Sequence, residues 1–263
     1  MTFRPFGFAA RALAAVSFAA IPFSQALASE RRSTSSADIQ AVAPQLFDYT
    51  QNLLFGEIWK RPELVRRDRS MITMAALVSG GHTAQMTGHF NLALDNGVKP
   101  GEIIALITHL AFYSGWPNAI SAAGVAKDVF AQRGVTVEQV GTHAAEPLPL
   151  DEKTDAQRRL ALDAAVGDIA PDLVRYTNEV LFDDLWRKSD LNARDRSLVT
   201  MAALIARGQS AQLPFHLNRA MDNGLTQTQA VEVITHLAFY AGWPMAMSAV
   251  PVAKTVFDAR KEK

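Results

Sequence analysis

Eleven residues, Ile107-Thr108-His109-Leu110-Ala111-Phe112-Tyr113-Ser114-Gly115-Trp116-Pro117, return almost unchanged as Ile234-Thr235-His236-Leu237-Ala238-Phe239-Tyr240-Ala241-Gly242-Trp243-Pro244. The offset (107 to 234, or 127 positions) holds without a gap from Ala43-Pro44/Ala170-Pro171 to Arg133/Arg260. The chain is therefore a tandem duplication, and whatever fold one copy adopts the other repeats. With 263 residues, 49% of them apolar, there is material for one large core or two ordinary ones.

Each copy reads as helix throughout. Apolar residues recur at helical spacing from Asp38 to Trp59 (Ile39, Val42, Leu46, Leu53, Leu54, Ile58), broken only by Pro44. Asp68 is placed to cap a helix from Ser70 to Ser79 that is apolar nearly all round, as in a buried element, and Gly80-Gly81 stops it. A third helix runs from about His82 to Asp95 and ends at Asn96-Gly97. Pro100 and Glu102 then open the helix that carries His109 and Tyr113, and Thr226 with Gln229 forms the matching capping box in the second copy. Trp116 before Pro117 is expected to turn the chain, with a restart from Asn118 to Arg133.

The second copy is expected as Arg158 to Arg187, Arg196 to Arg207, Gln209 to Asp222, Gln227 to Tyr240 and Met245 to the end. No alternating strand pattern of useful length is present. The expected fold is all-α, with a first helical repeat over 38–134, a linker over 135–155 and a second repeat over 156–263.

Lys+Arg and Asp+Glu balance at 26 each, so nothing points to nucleic acid or an anionic membrane. Cysteine is absent, which removes disulfides, thiol nucleophiles and thiolate metal sites. Residues 1–28 read as a signal peptide: Arg4 and Arg11, an apolar stretch from Ala12 to Ile21, then Ala26-Leu27-Ala28 before Ser29. A flexible arm is expected at 29–37, and the mature protein in the periplasm or secreted, where a chain without cysteine has nothing to mispair.

Four histidines form matched pairs, His89/His216 and His109/His236. His82, Gln85 and His89 share one helix face, as do Gln209, Gln212 and His216, and such a polar stripe faces either water or a lined cavity. Imidazole is the side chain that supplies acid and base near neutral pH, which makes His89 and His216 candidates for catalysis. His109 and His236 carry a tyrosine at i+4 on the same face, Tyr113 and Tyr240, which is either a structural hydrogen-bond partner or part of a site.

Arg69 and Arg196 sit in the first turn of a helix, where the dipole disfavours a cation. Either the adjacent Asp68/Asp195 or a ligand carboxylate offsets them. Trp116 and Trp243 read as core or interface aromatics. No spacing typical of a metal site appears.

The run Arg194-Asp195-Arg196-Ser197-Leu198-Val199-Thr200-Met201-Ala202-Ala203-Leu204 is followed by Gln212-Leu213-x-x-His216-Leu217, Asn223-Gly224-Leu225-Thr226 and His236-Leu237-Ala238-x-Tyr240-Ala241-Gly242-Trp243-Pro244. Together these resemble the gamma-carboxymuconolactone decarboxylase family. The first copy matches from Arg67-Asp68-Arg69-Ser70 through His89 to Trp116-Pro117.

The alkyl hydroperoxidase D-like branch of that family uses a Cys-x-x-Cys pair. Here those positions hold His82/Gln85 and Gln209/Gln212, so disulfide peroxidase chemistry is excluded. The decarboxylase branch implies a lyase or related isomerase acting on a small carboxylated lactone, with no metal and no organic cofactor. Departure of CO2 sends charge to the lactone oxygen, which needs donors there and an acid for the ring carbon.

On that resemblance His216 (or His89) is the proton donor and His236 with Tyr240 (or His109 with Tyr113) the oxyanion donors. Arg196 (or Arg69) orients a carboxylate, with Gln212, Gln85, Trp243 and Trp116 as further substrate contacts. Single-repeat relatives form hexameric rings, so two fused repeats imply a homotrimer. The rival expectation is a non-catalytic binding or scaffold protein of the same fold.

Overall fold

A computed structural model describes residues 35–141 and 146–262. The expected signal over 1–28, most of the expected arm and His143 lie outside the described residues. All regular structure among the described residues is helical. Helix α1 (Ser36–Val42) opens on a capping box between Ser35 and Asp38, and Pro44 starts α2 (Pro44–Asp48). The chain then widens into a π-helical turn at Tyr49–Leu54 and tightens into a 3-10 turn at Ile58–Lys60, which buries Trp59. The single helical pattern expected over Asp38–Trp59 thus resolves into four short pieces.

Helix α3 (Arg66–Gly80) is buried on every side from Asp68 to Ser79 and stops at Gly81, whose φ of 69° is the left-handed C-terminal turn expected there. Asp68 is not its cap. Val65 holds that position, and Asp68 lies inside the first turn. Helices α4 (Thr83–Asp95) and α5 (Pro100–Ser114) follow, the second opened by Pro100 with the Glu102 carboxylate accepting from the Lys99 amide at 2.8 Å.

Helix α6 (Trp116–Arg133) begins two residues earlier than expected, because Gly115 takes the turn at φ 92° and frees Trp116 to be helical. One turn, α7 (Val137–Val140), lies in the expected linker.

The second copy repeats the plan. Helix α8 (Glu152–Val166) is capped by Asp151 and begins within the expected linker. Helix α9 (Pro171–Tyr176), a π-helical turn at Thr177–Phe182 and a 3-10 turn at Leu185–Arg187 reproduce the Trp59 arrangement around Trp186. Then come α10 (Ala193–Ala206), capped by Asn192, α11 (Leu213–Asp222), α12 (Gln227–Ala241) and α13 (Trp243–Lys261). The Thr226/Gln229 capping box forms as the sequence predicts.

The two copies share one core. The buried helices α3 and α10 pack against each other at its centre, and one continuous apolar cluster runs from Leu64 to Phe257 through both repeats. Each outer helix then crosses over. Helix α12 of the second copy packs on α3 of the first, and α5 of the first packs on α10 of the second.

Ion pairs seal the crossing. Arg67 bonds Asp195 at 2.8 Å, and Arg194 bonds Asp68 at 2.6 Å, with both carboxylates buried. A buried carboxylate left without its arginine would cost several kcal/mol, so this lattice fixes which helix faces which.

Candidate functional site

Crossing the helices decides which residues meet. In the first centre α3 presents Arg69 and Thr73, the 3-10 turn presents Trp59, and α4 presents His89, all from the first copy. Helix α12 of the second copy adds His236 and Tyr240. The His89 ring lies edge-on to Tyr240 at 5.3 Å and stacks on Trp59 at 6.1 Å. The second centre is the mirror of this: Arg196, Thr200, Trp186 and His216 from the second copy meet His109 and Tyr113 from the first. There His216 is edge-on to Tyr113 at 5.3 Å and stacked on Trp186 at 6.0 Å. His216 therefore does not converge with His236 and Tyr240, the residues of its own copy. It converges with their counterparts.

The matched histidines divide into two kinds. His236 is fully buried, with Nδ1 facing Arg69 Nη1 at 3.3 Å and Nε2 facing Thr73 Oγ1 at 2.8 Å. A guanidinium can only donate, so Nδ1 is the acceptor and the ring proton on Nε2 goes to the threonine. His109 is held alike by Arg196 at 3.5 Å and Thr200 at 2.7 Å. Both nitrogens of each ring are committed, so neither can be the oxyanion donor expected from sequence. They orient the tyrosines, which stack on them at 5.0 Å and 4.9 Å.

Arg69 and Arg196 are likewise committed. Arg69 donates to the Leu64 and Arg61 carbonyls and pairs with Glu232 at 2.8 Å. Arg196 donates to the Lys188 carbonyl and pairs with Asp190. Their counter-ions are not the adjacent Asp68 and Asp195, which bond the opposite copy. Lying behind the histidines with 0% and 1% exposure, these arginines cannot reach a substrate carboxylate.

What remains available is the phenol and the second histidine. Trp186 Nε1 donates to the Tyr113 hydroxyl at 2.8 Å, which leaves the phenolic proton to be donated onward. Trp59 donates to Tyr240 in the same way at 2.9 Å, and Tyr240 is also engaged by Thr73. Burial pushes both phenols well up, so they are protonated donors at neutral pH.

Burial also lowers the histidines: His216 to about 3, helped by the nearby Arg219 cation, and His89 to about 4. His236 falls to about 3 and His109 well below its ordinary value, with burial again the first cause. His216 is 7% exposed, and among the described residues its Nδ1 has no hydrogen-bond partner. A buried ring nitrogen without a partner is unstable unless something else fills the role.

The other expected contacts lie elsewhere. Gln85 and Gln212 are exposed, because the stripe they share with His89 and His216 turns outward one turn before the histidine. Trp116 and Trp243 are each 57% exposed and lie against Phe112 and Phe239 at the surface, outside both centres. A groove of about 390 Å³ between α12 and α13, lined by Val231, Ile234, Val250 and Phe257, opens on the face of α12 opposite His236.

Four residue types were missed from sequence. Trp59 and Trp186 sit in matched runs, Leu54-Phe55-x-x-Ile58-Trp59 and Leu181-Phe182-x-x-Leu185-Trp186, so the repeat could have revealed them. Thr73 and Thr200 match too. Glu232 and Arg219 match nothing in the first copy and carried no such signal.

Residues 44–128 and 171–255 each match the model of the carboxymuconolactone decarboxylase family. Among curated proteins, a 4-carboxymuconolactone decarboxylase of Acinetobacter baylyi is 33% identical over 93 residues, which are 35% of this chain and 69% of that protein. A nitrosuccinic acid decarboxylase of Metarhizium robertsii is 34% identical over 68 residues, 26% of this chain and 48% of that protein, so about half of its length is spanned. An uncharacterized 15.0 kDa protein of Paracoccus denitrificans is 26% identical over 105 residues, 39% of this chain and 75% of that protein.

Proposed function

The chain belongs to the carboxymuconolactone decarboxylase family, and from that premise we propose that it is a cofactor-independent decarboxylase of a small carboxylated lactone. One observation carries the reading: a phenol with its proton free to donate stands against a buried imidazole with an unfilled nitrogen, inside a tryptophan-walled centre. Both named relatives, one for a lactone acid and one for nitrosuccinic acid, are decarboxylases. Each substrate has a group, lactone carbonyl or nitro, that can take the electron pair as CO2 leaves.

In this reading the bond between the carboxylate carbon and the ring carbon breaks. Its electron pair moves through the conjugated double bond to the lactone oxygen. Tyr113 donates to that oxygen while it carries charge, in a poorly hydrated setting where the hydrogen bond is strong. His216 then gives a proton to the ring carbon. It is neutral in the free centre, but substrate carboxylates entering beside it raise its affinity for a proton, so it loads on binding and reloads from solvent after each turnover.

The expected export and trimeric assembly belong to the same proposal. Apolar Trp116, Ile120, Trp243 and Met247, exposed on α6 and α13, favour contact with further subunits. The amino-terminal residue of the protein secreted by its host and a native mass of the purified chain test these two points.

The activity is tested by following CO2 release and loss of ultraviolet absorbance with carboxymuconolactone. Turnover by the unaltered chain, lowered roughly 100-fold or more in H216Q or Y113F, is the expected result. Binding without CO2 release would instead favour the non-catalytic reading.

A further inference from the structure

The two centres are copies in outline but not in charge. Arg219 lies on α11 one turn beyond His216, with its guanidinium 4.2 Å from the Trp186 ring centre and 5.4 Å from that of Phe182. Its charge is felt at His216, His109 and Tyr113. Among the described residues no carboxylate pairs with it, and its Nε is buried without an acceptor. Thus two orphaned buried nitrogens, Arg219 Nε and His216 Nδ1, come from one face of one helix in one centre. Asp155 and Asp151 act on this half-buried guanidinium only from a distance, and Asp155 is already held by Arg158 and Arg159. A cation so weakly balanced is costly in the empty protein, and a bound anion lowers that cost.

The first copy holds Leu92 where the second holds Arg219. The Trp59 centre differs at its rear as well. Glu232, where the other copy has Ala105, is 2% exposed and bound by Arg61 and Arg69. That centre carries a carboxylate of its own, and among the described residues its cations Arg61 and Arg69 are both paired with it.

We propose that only the Trp186 centre takes up a carboxylate-bearing substrate, and that Arg219 holds the carboxylate that stays on the product. The inference rests on the decarboxylase reading for the word substrate, but the anion site itself does not. Holding the retained carboxylate fixes the ring against Tyr113 and His216 without stabilising the group that must leave. The Trp59 centre is then a structural relic of the duplication, closed on its own ion pairs.

Calorimetric titration of the full chain with a saturated butyrolactone carboxylate, which has no conjugated path for CO2 loss, tests the proposal. One site per chain is expected. R219L, which reproduces the leucine of the other copy, should weaken binding about 10- to 100-fold, the range for a charge-assisted contact. R219K, which keeps a charge but not the planar fork, should weaken it less, and serves if R219L fails to fold.

Two equal sites per chain, no binding at millimolar ligand, or unchanged binding in both variants would overturn the proposal. Turnover of a conjugated lactone acid separates it from the parent reading. Undiminished turnover in R219L removes Arg219 and leaves the decarboxylase, whereas Arg219-dependent binding with no turnover in the unaltered chain removes the decarboxylase and leaves the anion site.

Discussion

At the scale of single residues, a matched histidine means different things in different surroundings. His109 and His236 are wired through both nitrogens, while His89 and His216 are held by ring contacts and burial. H236Q should destabilise the fold by about 1–3 kcal/mol, because Arg69 and Thr73 lose a buried partner. The urea midpoint measures this. H89Q should cost far less.

The lowered histidines also set the acid limb of stability. Their folded values lie below the unfolded value, so the unfolded chain binds more protons between about pH 6.5 and 3. Stability is therefore complete above pH 6.5 and falls as pH drops through that window, by up to about 1.4 kcal/mol per histidine per unit. The fall between pH 6.5 and 4 should be shallower in H89Q/H216Q, as followed by urea midpoints across pH. A slope unchanged in that variant would assign the acid limb to other groups.

Helices were largely legible in the sequence because their signals are local. Proline at the start of α5, the Thr226/Gln229 box and the glycine after α3 act within one turn of the residues they organise. The misplaced start of α6 shows the limit. Proline restrains the residue before it, but Gly115 and Gly242, with φ of 92° and 94°, absorb the turn one residue earlier. They set the angle at which the helices carrying Tyr113 and Tyr240 meet the next. G242A should therefore cost about 1–3 kcal/mol through backbone strain, although its added methyl meets nothing closer than Pro244 Cδ at 3.8 Å. Thermal unfolding against the unaltered chain gives the number, and a neutral result would mean the turn tolerates a side chain.

For the whole molecule, duplication was plain in the sequence but the exchange of helices between copies was not. Nothing within a repeat says whether α12 packs on its own α10 or also crosses to α3 of the other copy. The residues that break the symmetry were hidden for a related reason: a search for matches passes over Arg219 and Glu232 because they have none. A shared core predicts one cooperative unfolding transition, with circular dichroism and tryptophan fluorescence coinciding. Two separated transitions would mean the copies fold independently.

The central claim, that each centre is assembled across the copies, is most directly tested by a double-mutant cycle on the rate of CO2 release. His216 and Tyr113 belong to one centre, so H216Q/Y113F should lose little more than the worse single variant. His216 and Tyr240 belong to different centres, so adding Y240F to H216Q should change the rate by the same factor as Y240F alone. Strong coupling of His216 to Tyr240, with His216 and Tyr113 acting independently, would contradict the crossed arrangement.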